Sequence, residues 1–411
     1  MGKWNYYIVQ LHAVLSVMGY WGMHSILSVA VGTTSSLSSI AYDGVQLAIS
    51  LYVIFICRKD IIIEKGRPIL LFYSILLVLY SLRMFFDMAA GPFSTTVSRN
   101  MFLNDILLTV FHCFMAAWAM ITSRKYLDVR IITKIMFWMS TLTILLIILN
   151  LSIRGLGDMY EEERLDGGRG LGTLALVKIG AICTLSAFHL VMNERGKIRK
   201  IIYAAGSILG LWLTMASGSR GGLAALVIAV GICWLFASRR NVLMMILAVI
   251  AIIVFIINIV PILIWLSDYF PVVGQRMLNT ILENDQNGRI ELRSQAFQLI
   301  ADHPLFGYSY RLGASETGYS AHNGILSVVL ALGIPIGLLF IYFIYIKSFL
   351  ASIKMMPQKS AFFVTSMCVF VLVASMSGSS ITDPRFGFAI CLLAATYYYR
   401  NRLKMKSNNS K

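Results

Sequence analysis

Charge is scarce in this chain. Of 411 residues only 13% are Asp, Glu, Lys or Arg, and 58% are hydrophobic. A soluble domain of this size needs far more charge to cover its surface, so a water-soluble globular protein is excluded. Cysteine is sparse too. Cys57, Cys113, Cys183, Cys233, Cys368 and Cys391 all fall within or at the end of apolar runs and form no CxxC pair. They read as small apolar packing residues and exclude a disulfide framework or a thiolate metal site. There is no HExxH sequence, no Asp-x-Asp on an outer segment and no P-loop, so neither metal nor nucleotide, nor any other cofactor, is expected.

What is present is a series of apolar runs and a mean hydropathy of +0.76. A membrane-spanning helix needs about 20 apolar residues. Runs of suitable length lie near 6–31, 43–57, 68–86, 101–122, 131–153, 171–192, 201–217, 222–237, 241–266, 323–346, 361–379 and 384–399. The expected fold is therefore a single all-α, polytopic membrane domain over 1–411, with about twelve spans. The first run is long enough to tilt, or to break near Gly19 and Gly22.

The formal charge of +16 points to the membrane surface and not to nucleic acid, because the basic residues sit in short loops. With the N-terminus inside, the inner loops gather Arg58, Lys59, Lys65 and Arg67; Arg124, Lys125, Arg130 and Lys134; Arg195, Lys197, Arg199 and Lys200; and the basic tail 400–411. The outer loops are poorer in them. The positive-inside rule then puts both termini in the cytoplasm. It also puts the largest hydrophilic segment, 267–321, outside, between the ninth and tenth spans. Within it, Asn287-Gly288 marks a turn. Leu292, Ala296, Phe297, Leu299 and Ile300 have the spacing of an amphipathic helix lying along the membrane, which Pro304 and Gly307 end.

The candidate functional residues follow from this topology. Arg220 lies in Gly218-Ser219-Arg220-Gly221-Gly222, at the outer end of a helix pair, where the charge bias would discourage an arginine. A guanidinium flanked by small residues can hold a phosphate through two hydrogen bonds. Arg289 and Arg293 lie one turn apart on the amphipathic helix and would add the charge needed to neutralise a diphosphate; their alternative role is contact with anionic lipid. Lys178 lies within a span, about two turns below the outer face, and could reach a phosphate from beneath. His322 sits where the large loop re-enters the membrane. Histidine is the side chain best suited to move a proton near neutral pH, and the amide of Asn323 beside it could orient a ring or a sugar. Ser219 and Gly221 support Arg220. Arg83 and Asp87, four residues apart within one span, can simply pair. His303 reads as a helix-terminating residue before Pro304.

At these positions the chain resembles the O-antigen ligase and O-antigen polymerase superfamily of bacterial envelope glycosyltransferases. The resemblance rests on Ser219-Arg220-Gly221-Gly222, then Gly288-Arg289-Ile290-Glu291 running into Asp302-His303-Pro304-Leu305-Phe306-Gly307. It continues through His322-Asn323-Gly324-Ile325-Leu326 and Leu332-Gly333-Ile334-Pro335-Ile336-Gly337, and covers roughly 210–345. Arg293 departs from the tryptophan many relatives carry there.

The resemblance implies a GT-C-like fold in the bacterial inner membrane, with the active site on the outer face. It implies metal-independent, inverting transfer of a glycan from undecaprenyl diphosphate, and a flippase and chain-length regulator as partners. Arg220 and Arg289 would bind the diphosphate, and His322 would take a proton from the acceptor hydroxyl or orient it. The acceptor would be another lipid-linked repeat unit in a polymerase, which the compact outer loop favours, or a lipid A-core or protein in a ligase. A secondary transporter is the alternative from another class, but the two halves of the chain show no related repeat.

Overall fold

The computed structural model describes residues 2–31, 35–58, 67–89, 114–154, 160–161, 164–165, 172–238, 259–269, 289–310, 323–355 and 361–377, with isolated positions 246, 250, 274, 278–279 and 321. Apart from a two-residue ladder pairing Tyr160–Glu161 with Arg164–Leu165, its regular elements are helical. They are α1 (Lys3–Val31), α2 (Ser35–Ile56), α3 (Arg67–Ala89), α4 (Ala116–Ser123), α5 (Val129–Arg154), α6 (Thr173–Asn193), α7 (Lys197–Ala216), α8 (Arg220–Ser238), α9 (Ile259–Tyr269), α10 (Arg289–Asp302), α11 (Gly324–Ile341), α12 (Lys347–Met355) and α13 (Ala361–Ser377). A π-turn at Tyr342–Ile346 joins α11 to α12.

Five helices among the described residues are long and apolar enough to cross a membrane: Lys3–Ala30, Val129–Ile153, Thr173–Asn193, Lys197–Ala216 and Gly324–Lys354. The expected span at 384–399, most of those at 101–122 and 241–266, and the tail 400–411 lie outside the described residues. α1 runs unbroken through Gly19 and Gly22. Gly19 serves a contact instead, since a Cβ there would lie 2.6 Å from the Tyr42 ring of α2.

The helices show the pattern of a bundle solvated by lipid. On α5, Trp138, Leu142, Leu145, Leu149 and Ile153 form an exposed stripe, while Met136, Phe137, Ile144 and Ile147 face the core. Such a stripe in water would be a large apolar patch; in a bilayer it meets acyl chains. Buried hydroxyls bond back to their own helices, as Thr133 does to the Val129 carbonyl, Ser186 to Ile182 and Thr214 to Gly210. That satisfies polar atoms where no water is available. α6 and α7 approach most closely through small residues: a Cβ on Gly210 would lie 2.7 Å from the Gly180 carbonyl oxygen. Close backbone approach of this kind drives helix association in lipid.

Contacts fix the helix directions. Gly222 near the start of α8 touches Val177 near the start of α6. His189, near the other end of α6, stacks against Phe362 and Phe363 at the start of α13. Thr365 of α13 donates to the Ser352 carbonyl of α12 at 3.1 Å. The helix from Gly324 to Lys354 therefore begins at the end of the bundle where α6 and α8 begin.

α11 is broken at Gly333, whose φ is 76°. The rung that would join the Ile334 N–H to the Leu330 carbonyl is open, and the segment after α10 takes both groups. Tyr308 N–H donates to the Leu330 carbonyl at 2.8 Å, and Ile334 N–H donates to the Pro304 carbonyl at 2.8 Å. Gly307 (φ 72°) and Gly333 make this possible: a Cβ on Gly307 would lie 2.6 Å from the Leu330 oxygen, and one on Gly333 would overlap the Leu305 carbonyl. Beside the break, Leu292, Ala296, Leu299 and Ile300 of α10 pack on Leu326, Val329 and Leu330 of α11. Phe297, expected on that face, is 63% exposed, because it lies a quarter-turn off the contact stripe.

Gly307→Ala should lower the thermal midpoint in detergent, since an L-residue in the left-handed region costs about 1–2 kcal/mol before the clash is counted. Gly44→Ala, in the interior of α2 with nothing within 4 Å, should be neutral or stabilising. Equal midpoints for the two variants would contradict the close backbone contact.

Candidate functional site

Arg220 is positioned by the turn between α7 and α8. Ser217 N–H donates to the Leu213 carbonyl and Gly218 N–H to the Met215 carbonyl, at 3.1 and 3.0 Å. Gly218 then takes φ 67°, which favours glycine. Ser219 caps α8: its Oγ accepts from Gly222 N–H at 3.4 Å and its carbonyl from Leu223 N–H at 3.1 Å. Arg220 and Gly221 are consequently the first two residues of α8, at the positive end of its dipole. Ser219 thus holds the helix start. Gly222 leaves room for Val177 of α6, so its small size serves helix packing.

Lys178 follows Val177 on α6 and is buried at 7% exposure. Its Nζ lies 5.8 Å from the centre of the Trp21 ring, within range of a cation–π contact. Val177, its neighbour on α6, is the residue that meets Gly222 of α8, while Lys178 itself is turned to Trp21 of α1. Five residues into α6, it is about 7.5 Å below Thr173 along the axis.

The second group lies on α10 and α11. Arg289 is the first residue of α10; its side chain is outside the described part of the structure. Arg293 is half-buried, and its Nε is buried without a hydrogen bond among the described residues. Such a donor is costly unless something accepts from it. Asn323 is the N-cap of α11, with Oδ1 accepting from Ile325 and Leu326 N–H at 3.0 and 3.1 Å. The oxygen is thus committed to the helix start, so the expected contact with a ring or sugar falls to the amide NH2. His322, the residue before this cap, lies outside the described residues, as do Asn287-Gly288. His303 follows the end of α10, its ring 5.5 Å from that of Tyr308 and tilted by 36° to it.

The starts of α6, α8 and α11 lie at one end of the bundle, which puts Arg220 and Asn323 at that end, while α10, which carries Arg293, packs on α11. Because α7 ends there, the helix dipoles partly cancel. Among the described residues no three of His, Cys, Asp and Glu lie together as a metal site would need.

Two residues were underread from sequence. Arg83 and Asp87 pair as expected, Nε to Oδ1 at 3.0 Å. They also reach across to the segment after α10. Arg83 donates to the Phe306 carbonyl at 3.1 Å and to the Tyr308 carbonyl. Asp87 Oδ2 accepts from Ser309 Oγ at 3.0 Å and Tyr310 N–H at 2.8 Å. An ionic pair near the end of a span was the only sequence signal, and it does not name a partner more than 200 residues away.

Residues 205–342 match the family model described as O-antigen ligase. The matched stretch runs from α7 to the end of α11 and contains Arg220, Arg289, Arg293, Asn323 and both positive-φ glycines of the interlock. It supports placing the chain in the O-antigen ligase and polymerase superfamily. No curated protein matches the chain.

Asn323→Ala should lower stability by about 1 kcal/mol through the lost cap, while Asn323→Ser or Asn323→Asp should retain most of it. Thermal unfolding of the three variants checks this. Equal loss in all three would mean the amide has a role beyond capping.

Proposed function

With residues 205–342 matching the O-antigen ligase family, we propose that the protein is a polysaccharide polymerase. It transfers an undecaprenyl-diphosphate-linked glycan onto another lipid-linked repeat unit, at the outer face of a bacterial inner membrane. Both termini are then cytoplasmic, and a flippase and a chain-length regulator supply donor and set product length. The observation that carries the reading is Arg220 on the first turn of α8, at the bundle end where α6 and α11 also begin.

In this reading Arg220 binds the diphosphate bidentately, Lys178 approaches from the membrane side, and Arg289 and Arg293 supply charge from α10. The acceptor hydroxyl attacks the anomeric carbon as the bond from that carbon to the diphosphate oxygen breaks, inverting the centre. The bond electrons leave with the lipid diphosphate, and the hydroxyl proton passes to His322. Negative charge grows on the leaving diphosphate in the transition state, so arginines already in place stabilise that state more than the bound substrate. Ser219 and Asn323 act through the helix starts they cap.

The test is the glycan ladder of a deletion strain restored with wild type, Arg220→Ala, Arg289→Ala or His322→Ala at matched membrane levels. A polymerase predicts single repeat units in place of long chains, with output reduced by about a hundredfold for the loss of one transition-state contact. Long chains stranded on the lipid diphosphate would identify a ligase instead. Normal ladders in all three variants would remove the site and bring the transporter reading forward.

A further inference from the structure

Four hydrogen bonds and an ion pair join Arg83 and Asp87 of α3 to residues 306–310. Both side chains are spent on this segment: the guanidinium on two carbonyls, the carboxylate on one hydroxyl and one backbone N–H. Asp87 is fully buried, as is Ser309, and Tyr310 is nearly so. The far side of the same segment is bonded to the break in α11 through Pro304 and Tyr308. Its near end continues directly from α10, which carries Arg289 and Arg293. The segment is thus held between two helices, one on each side, and α10 is tied to both.

We propose that Arg83 and Asp87 are positioning residues for the transfer reaction: they fix α10, and through it Arg293 and Arg289, against the start of α11. The proposal rests on the diphosphate reading given above. The physical argument is one of tolerance. A phosphate accepts two guanidinium bonds only in a narrow geometry, and α10 alone is a helix of 14 residues packed by small apolar contacts. Its packing on α11 sets which face it buries. The clamp removes its remaining freedom to slide or tilt. A local pair would need only the ion contact. The four bonds to residues more than 200 positions away are what a clamp needs.

The test uses the full-length protein in membranes of the deletion strain, with lipid-diphosphate-linked repeat unit extracted from that strain as donor. Arg83→Lys keeps a charge and one carbonyl bond. It should raise KM several-fold and lower turnover by roughly tenfold, beyond the small fall in thermal midpoint that one lost carbonyl bond brings. The exchange Arg83→Asp with Asp87→Arg restores an ion pair but removes every donor to Phe306 and Tyr308 and every acceptor for Ser309 and Tyr310. It should remain as impaired. Recovery of KM in the exchange variant, or an unchanged KM in Arg83→Lys, would overturn the proposal.

Asp87→Cys with Ser309→Cys puts two thiols on facing side chains whose oxygens lie 3.0 Å apart. Oxidation to the disulfide should retain turnover, and reduction should remove it. Unchanged kinetics on reduction, or wild-type turnover without the cross-link, would also overturn the clamp. Arg220→Ala is carried alongside. Full activity in that variant sinks the diphosphate reading itself, whereas its loss together with normal Arg83 variants sinks only the clamp.

Discussion

A bilayer offers no water to a backbone group that loses its partner. That constraint governs this structure at Gly333. Opening the rung between Ile334 and Leu330 in a membrane-length helix exposes a donor and an acceptor, and each must be met from within the protein. The segment from Pro304 to Tyr308 meets both. It can come that close only because Gly307 and Gly333 have no side chains. From this one exchange follow the path of the chain out of α10, the docking of α10 on α11, and the reach of Arg83 and Asp87 to the same segment. The family match spans α10, the interlocked segment and α11, so the break belongs to the portion of the chain that the family model describes.

The interlock organises one half of the candidate site, and close helix packing organises the other. Gly180 and Gly210 bring α6 and α7 together, the turn at Gly218 reverses the chain, and Gly222 lets α8 settle on Val177. Arg220 is left on the first turn of α8, and Lys178 lies beside Val177 on α6, turned to Trp21. These are two separate constructions, one made of backbone exchange and one of small-residue packing. The helix directions carry both to the same end of the bundle. A site for an anionic lipid head group needs cationic side chains at the membrane boundary, with apolar surface below them for the lipid. The exposed stripes of α5 and α7 are of the second kind.

Much of this was legible in the sequence, because lipid imposes simple rules. Apolar length gave the helical class and the limits of α5, α6 and α7 to within a few residues. Periodicity gave α10 and most of its buried face. It misjudged Phe297, since four apolar residues within 296–300 exceed what one stripe of a helix can bury. The glycines of α1 read as a possible break because sequence cannot tell a glycine that bends a helix from one that admits a neighbour's ring. Asn323 read as a substrate contact, although an Asn before an apolar run is also a strong N-cap signal. The clamp was not legible at all: Arg83 and Asp87 have an obvious partner in each other, and nothing local points to Ser309 or Tyr310.

The central claim is that the bundle end carrying Arg220 holds a lipid-linked diphosphate, and direct binding addresses it before any chemistry is assayed. The measurement is the affinity of undecaprenyl diphosphate for the purified full-length protein in lipid nanodiscs, for wild type and for Arg220→Ala. The account predicts saturable binding by wild type, weakened at least about tenfold in the variant, as expected for removing one partner of a charged, hydrogen-bonded contact. Equal affinity in the two proteins would contradict it.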